Sequence, residues 1–142
     1  MKYVILTILL AVNSWAYRTG ETLDREIMQK LGISDTNTTV IDFFASWCEG
    51  CRHELPQIEA LSRKGVYVIG VDVDEEVSRG RVFQKEMGLT FRVIDDPKGE
   101  IIEKFNPVGM PALYIIQNGK VREQIIGTRE SIGVLLDRKL AR

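Results

Sequence analysis

Apolar and polar positions along the chain fall into blocks of different period. From Gly20 to Leu31 the apolar residues Leu23, Ile27 and Leu31 recur every four positions, which predicts one face of an amphipathic helix ended by Gly32. Val40-Ile41-Asp42-Phe43-Phe44-Ala45 is a nearly continuous apolar run, as in a strand buried on both faces, with a charge inside it at Asp42. A helix follows from about Cys48 to Arg63, with Leu55, Ile58 and Leu61 inward and Pro56 inside it, where a proline removes a hydrogen bond and kinks the axis. Val66 to Val71 reads as a second buried strand, Glu75 to Met87 as a crossing helix and Phe91 to Ile94 as a third, short strand, so parallel pairing is expected. Asp95-Asp96-Pro97-Lys98-Gly99 marks a turn before a short helix from Glu100 to Phe105. Ala112–Gln117 and Lys120–Ile126 flank Asn118-Gly119, a hairpin signal that ends the sheet with antiparallel pairing. A last helix from about Arg129 to Leu140 turns Ile132, Leu135, Leu136 and Leu140 inward.

The N-terminus has a different pattern. After Lys2 comes a ten-residue run from Tyr3 to Val12, polar only at Thr7, and then Asn13-Ser14-Trp15-Ala16. This is the layout of a secretory signal, with Ser14 and Ala16 at the −3 and −1 positions. The run is well short of the roughly 20 residues that span a bilayer as a helix. Residues 1–16 are therefore expected to be a cleaved signal peptide and 17–142 the mature domain, working in the periplasm or another extracytoplasmic space. The alternatives are a buried N-terminal element and an uncleaved membrane anchor.

Length and charge narrow the function. A chain of 142 residues with 44% hydrophobic and 27% charged positions is of single-domain size and globular composition. With 19 Lys+Arg against 20 Asp+Glu, no basic excess exists to neutralise phosphates, so nucleic acid is not an expected partner. The two cysteines, Cys48 and Cys51, and the single histidine, His53, cannot fill a closed four-ligand zinc site without carboxylate help. As a staple, a disulfide closing so short a loop stabilises little, because the effect grows with loop length.

Chemistry is the better account of the pair. Cys-x-x-Cys after a strand and at the start of a helix is the arrangement of a redox motif. A thiol at a helix N-terminus meets unpaired N–H groups and the positive end of the dipole, which favours the thiolate and makes Cys48 the attacking sulfur. Cys51, one turn in, is then the resolving partner.

The run Phe44-Ala45-Ser46-Trp47-Cys48-Glu49-Gly50-Cys51, Pro56 beyond it, and Val108-Gly109-Met110-Pro111 before the hairpin resemble the thioredoxin superfamily. The stretch from about Asn37 to Leu140 fits its order, and Pro111-Ala112-Leu113-Tyr114 followed by Asn118-Gly119-Lys120 is most similar to the extracytoplasmic TlpA/ResA branch. The resemblance implies an α/β thioredoxin fold, a central mixed β-sheet flanked by helices. It also implies a thiol-disulfide oxidoreductase acting on protein thiols and disulfides, with a role in cytochrome c maturation or a related pathway. It further implies a cis Met110-Pro111 peptide beside the disulfide, with the Met110 backbone offered to a substrate strand. The implied partners are a protein substrate and a membrane electron donor with its own Cys-x-x-Cys; no cofactor is expected and the domain is expected as a monomer.

Asp42, six residues before Cys48, matches the buried acid of thioredoxins and is a candidate acceptor for the Cys51 proton; the alternative is a solvated strand-end carboxylate. Glu75 aligns with the acid that the cytochrome-maturation branch sets near its cysteines, although acids before a helix are ordinary caps. Trp47, Glu49, Gly50, Met110 and Pro111 are the expected substrate-contacting residues. Gly50 stands where proline is common and is expected to loosen the turn, Ala112 stands where a threonine often follows the proline, and a helix replaces the usual N-terminal hairpin. Two rivals remain: an oxidase or isomerase, which the charge of Glu49 beside Cys48 disfavours, and a copper carrier, for which no histidine follows His53.

Overall fold

The computed structural model describes residues 16–142; the apolar run and most of the cleavage motif lie outside them. Five strands, β1 (Thr38–Phe44), β2 (Val68–Asp72), β3 (Arg92–Asp95), β4 (Ala112–Gln117) and β5 (Lys120–Ile126), form one sheet in the order β3-β2-β1-β4-β5. β1 runs parallel to β2 and antiparallel to β4, with Asp42 opposite Gly70 on one side and Leu113 on the other. The sheet is thus mixed, with β3 added in parallel and β5 antiparallel. At the β4–β5 corner Asn118 and Gly119 both take positive φ, 53° and 72°, as the tight turn requires of its two central residues.

Helices α1 (Arg25–Leu31), α2 (Glu49–Arg63), α3 (Val77–Glu86), α4 (Glu100–Phe105) and α5 (Ile132–Leu140) cover both faces. Side chains alternate along a strand, so β1 sends Val40 and Phe44 into a core with Leu55, Ile58, Phe83 and Leu136, and Ile41 and Phe43 into a second core with Ile27, Leu31 and Phe105. Phe105 lies 5.0 Å from Phe43 and 4.8 Å from Tyr114, ring centre to ring centre. By the same alternation Asp42 shares its side of β1 with Val40 and Phe44, under α2. α2 continues unbroken through Pro56.

Two expected boundaries move furthest. α1 begins only at Arg25, after Asp24 caps it by accepting the Ile27 N–H at 2.9 Å, and Gly32 ends it at φ 64°. Residues 20–23 instead pair with the hairpin: Gly20 N–H donates to Val121 O at 2.7 Å, Leu23 N–H to Gly119 O at 2.8 Å, and Val121 N–H to Glu21 O at 2.9 Å. Leu23 is buried in this extended segment, so its four-residue spacing from Ile27 has no helix beneath it. α5 likewise starts at Ile132 rather than Arg129, because residues 127–131 form a loop over the start of α2.

Candidate functional site

β1 delivers the chain into the turn Ala45-Ser46-Trp47, closed by a 3.1 Å bond from Cys48 N–H to Ala45 O. Cys48 is the N-cap of α2, and its Sγ accepts the Cys51 N–H at 3.2 Å. The two cysteines form a disulfide with their Cα atoms 5.2 Å apart. Cys48 is 6% exposed and Cys51 1%, so the cysteine at the helix start is the more exposed, though by a narrow edge. Cys51 Sγ lies 4.0 Å from Phe43 O.

The Met110-Pro111 peptide is cis, and Pro111 O accepts the Gly127 N–H at 2.9 Å. Pro111 sits against Gly50: a Cβ at Gly50 would fall 2.9 Å from Pro111 Cδ and 2.1 Å from Thr128 Oγ1. Gly50 therefore sits in a close fit against a proline ring and a threonine. Gly50→Ala should lower stability by about 1–3 kcal/mol through overpacking, read as a shift in the urea midpoint, and Thr128→Ala should return part of it. An unchanged midpoint in Gly50→Ala alone would remove the packing argument.

Trp47 stands 68% exposed, so it is no part of the core. It walls a shallow cleft of about 400 Å³ shared with Val73, Asp74, Glu75, Glu76 and Arg79. Glu49 is exposed on the first turn of α2, and Met110 is half-buried against the core on that side of the sheet. His53 is exposed.

The acids near the cysteines divide into buried and exposed. Asp42 is 3% exposed; burial pushes its carboxyl well up, and the charge of Glu54 adds to this. Glu54 is 1% exposed, and burial pushes it to about 7 while the backbone N–H and charge of Arg129, and His53, pull the other way. Its Oε2 accepts the Arg129 N–H at 3.4 Å, and its Oε1 has no hydrogen-bond partner among the described residues. Glu75 is exposed on the cleft and is not among the buried acids; α3 is capped at Glu76, without a side-chain bond. Asp42 is thus joined by a second buried acid, Glu54, while Glu75, the other acid singled out in the sequence, lies exposed beside Trp47. The signal for Glu54 was present, since it lies three residues past Cys51 on the helix face that also carries Leu55 and Ile58.

A second buried acidic group lies behind the turn. Asp74 accepts both the Ser46 N–H at 2.8 Å and the Ser46 hydroxyl at 2.7 Å. Those bonds hold its carboxyl below the usual range despite burial. Asp72 accepts from the Asp74 N–H at 2.9 Å and from Gln84 Nε2 at 2.8 Å, and burial pushes it to about 6.

A thioredoxin fold with a Cys-x-x-Cys disulfide at a helix N-terminus, a cis-proline against it and carboxylates buried nearby defines the class of redox-motif thioredoxin-like proteins. Within that class, the chain belongs to the AhpC/TSA family, whose pattern matches residues 21–124. It is similar to the thiol-disulfide oxidoreductase ResA of Bacillus anthracis, 30% identical over 157 residues that cover 92% of this chain and 90% of the relative. With ResA of Bacillus thuringiensis subsp. konkukian it shares 33% identity over 99 residues, 65% of this chain, and there it spans little more than half, 57%, of the relative's length. Among solved structures, a thiol:disulfide interchange protein described as DsbE, from Chlorobium tepidum, superposes with a TM-score of 0.76 at 26% identity, covering 89% of this chain and 97% of that one. StoA from Bacillus subtilis shares the fold, with a TM-score of 0.63 at 23% identity over 72% of this chain and 81% of its own.

Proposed function

We propose that the protein is a thiol-disulfide oxidoreductase that reduces protein disulfides outside the cytoplasm. The observation that carries this reading is Cys48 at the N-cap of α2, its sulfur already accepting a helix N–H in the disulfide form. On reduction the same N–H and the helix dipole stabilise the thiolate.

The Cys48 thiolate attacks one sulfur of a substrate disulfide, forming a mixed disulfide and releasing the other substrate sulfur as a thiolate. Cys51 then loses its proton and attacks Cys48 Sγ, which frees the second substrate thiol and re-forms the Cys48–Cys51 bond. Two electrons pass to the substrate. Glu54 and Asp42, both buried, are the proposed acceptors of the Cys51 proton; a group near 7 is matched to that task at neutral pH. Trp47, Glu49 and Gly50 flank the cysteines along the chain and Pro111 lies against Gly50; with Met110 they are the proposed substrate-contacting rim.

Export rests on the signal-like residues 1–16, with the mature domain from Tyr17; among the described residues no helix is long and apolar enough to cross a membrane. Cytochrome c maturation, or a related thiol pathway fed by a membrane donor with its own Cys-x-x-Cys, is the role that the likeness to the extracytoplasmic branch favours.

Equilibration with glutathione redox buffers, followed by alkylation and mass analysis, tests the reading. A single two-electron transition is expected, with a midpoint nearer the thioredoxin value of about −270 mV than the isomerase value of about −180 mV. A midpoint at or above the latter makes the protein an oxidant or isomerase. Reduced protein that retains stoichiometric copper and exchanges with no disulfide would be a carrier instead.

A further inference from the structure

We propose that Asp74 is a positioning residue for Cys48: its carboxylate holds the turn at Ser46 and so fixes where the attacking sulfur stands over the first turn of α2. This rests on the reading of Cys48 as the attacking thiol.

Ser46 is two residues before Cys48, and the next side chain, Trp47, projects into solvent. The turn is held from behind. Both carboxylate oxygens of Asp74 are engaged by the one residue, Oδ2 by the Ser46 N–H at 2.8 Å and Oδ1 by its hydroxyl at 2.7 Å. Charge-assisted bonds of this kind are roughly twice as strong as neutral ones.

Asp74 is in turn fixed by its own neighbours. The Val73 N–H donates to Phe44 O at 2.9 Å, which ties the segment after β2 to the end of β1. The Asp74 N–H donates to Asp72 Oδ1 at 2.9 Å. Gln84 on α3 bridges Asp72, at 2.8 Å, and Asp95 on β3, at 3.1 Å, and Arg81 pairs with Asp95 at 3.0 Å. Gly80 leaves the room this needs, since a Cβ there would come within 2.6 Å of Asp72 Oδ2. A chain of bonded side chains therefore runs from the outer strand of the sheet to the residue two before the nucleophile. The charged groups around it are Asp72, Arg79, Glu75 and Glu76 from the same segment and α3, and Asp95 with Arg81.

The variants separate geometry from charge. Asn at position 74 keeps both contacts, its oxygen accepting the Ser46 N–H and its amide donating to the hydroxyl, while removing the charge. Ala loses both and leaves the Ser46 N–H unpaired. Ser46→Ala removes one bond and keeps the charge, and it is mild enough to fold if Asp74→Ala is not.

The readouts are the pH profile of Cys48 alkylation in the reduced protein and the midpoint in glutathione buffers. Asp74→Ala should slow alkylation at pH 7 by about fivefold or more as Sγ leaves the helix N-terminus. Ser46→Ala should move the same way by a smaller factor, and Asp74→Asn should stay within about twofold of the parent, with its midpoint restored. The proposal is overturned if Asp74→Ala or Ser46→Ala lowers thermal stability with profile and midpoint unmoved, or if Asp74→Asn shifts as far as Asp74→Ala, which would make the effect one of charge. Wild-type protein that forms no mixed disulfide with glutathione would instead defeat the reading of the pair itself.

Discussion

Cys51→Ser is expected to accumulate as covalent complexes with protein substrates, and Cys48→Ser is expected to accumulate none. The asymmetry follows from the helix start. Cys48 Sγ accepts the Cys51 N–H, and of the two cysteines, both in the core that contains Leu55 and Ile58, Cys48 keeps the larger exposure, 6% against 1%. A substrate disulfide meets Cys48 first, and without the second thiol the mixed disulfide has no internal route to resolution. Complexes of the Cys51→Ser variant should appear on non-reducing gels and vanish with dithiothreitol. Faster alkylation of Cys51 than of Cys48 in the reduced protein near pH 7 would reverse the assignment.

The buried acids carry the other large effect. Burial pushes Glu54 to about 7 and Asp42 well above its ordinary value, and the Glu54 charge adds to the push on Asp42. Glu54→Gln should slow resolution of the mixed disulfide by about 10²–10⁴-fold, the usual effect of losing a general base, and leave the first attack by Cys48 unchanged. Asp42→Asn should chiefly simplify the pH profile of resolution to one titration. If Asp42→Asn instead produces the large slowing and Glu54→Gln none, Asp42 is the acceptor.

The same acids tie stability to pH. A carboxyl whose folded pKa lies above its unfolded one favours folding in its neutral form, so stability is full below the unfolded value and is lost as pH rises through the folded one. For Glu54 that window runs from 4.5 to about 7. At 1.36 kcal/mol per pKa unit, the wild type should lose on the order of 3 kcal/mol relative to Glu54→Gln across it. Asp72 titrates inside the same window, at about 6, but is present in both proteins and cancels in the difference. Urea midpoints at pH 4.5 and 7.5 give the measurement, and parallel curves for the two proteins would show that Glu54 ionises in water.

What was legible in the sequence is what local rules govern. The apolar run of β1, the Asn118-Gly119 corner and Cys-x-x-Cys at a helix start are each decided within a few residues, and each stands where expected. Contacts that cross the chain were not legible: Thr128 against Gly50, Asp74 to Ser46 across 28 positions, and residues 20–23 on the hairpin. Glu54 was hidden for another reason, because a glutamate among helical charges reads as surface until its spacing from Cys51 is counted. Glu75 was legible as an acid near the turn, but not its exposure beside Trp47. In the extended segment after β2 side chains alternate, so Asp72 and Asp74 turn inward and Glu75 outward.

The segment before α1 also bears on how the molecule meets its neighbours in solution. β5 is an outer strand of the sheet, and an outer strand offers a row of unpaired N–H and C=O groups to any passing chain. Residues 20–23 bond the start of that row, and Gln124 Nε2 reaches Tyr17 O at 2.7 Å further along it. Tyr17 is held by its ring against Phe105, 5.0 Å away centre to centre, and by a hydroxyl bond to Asp24. The protein thus carries its own guard against strand-to-strand aggregation, built from the few residues that join α1 to whatever precedes it.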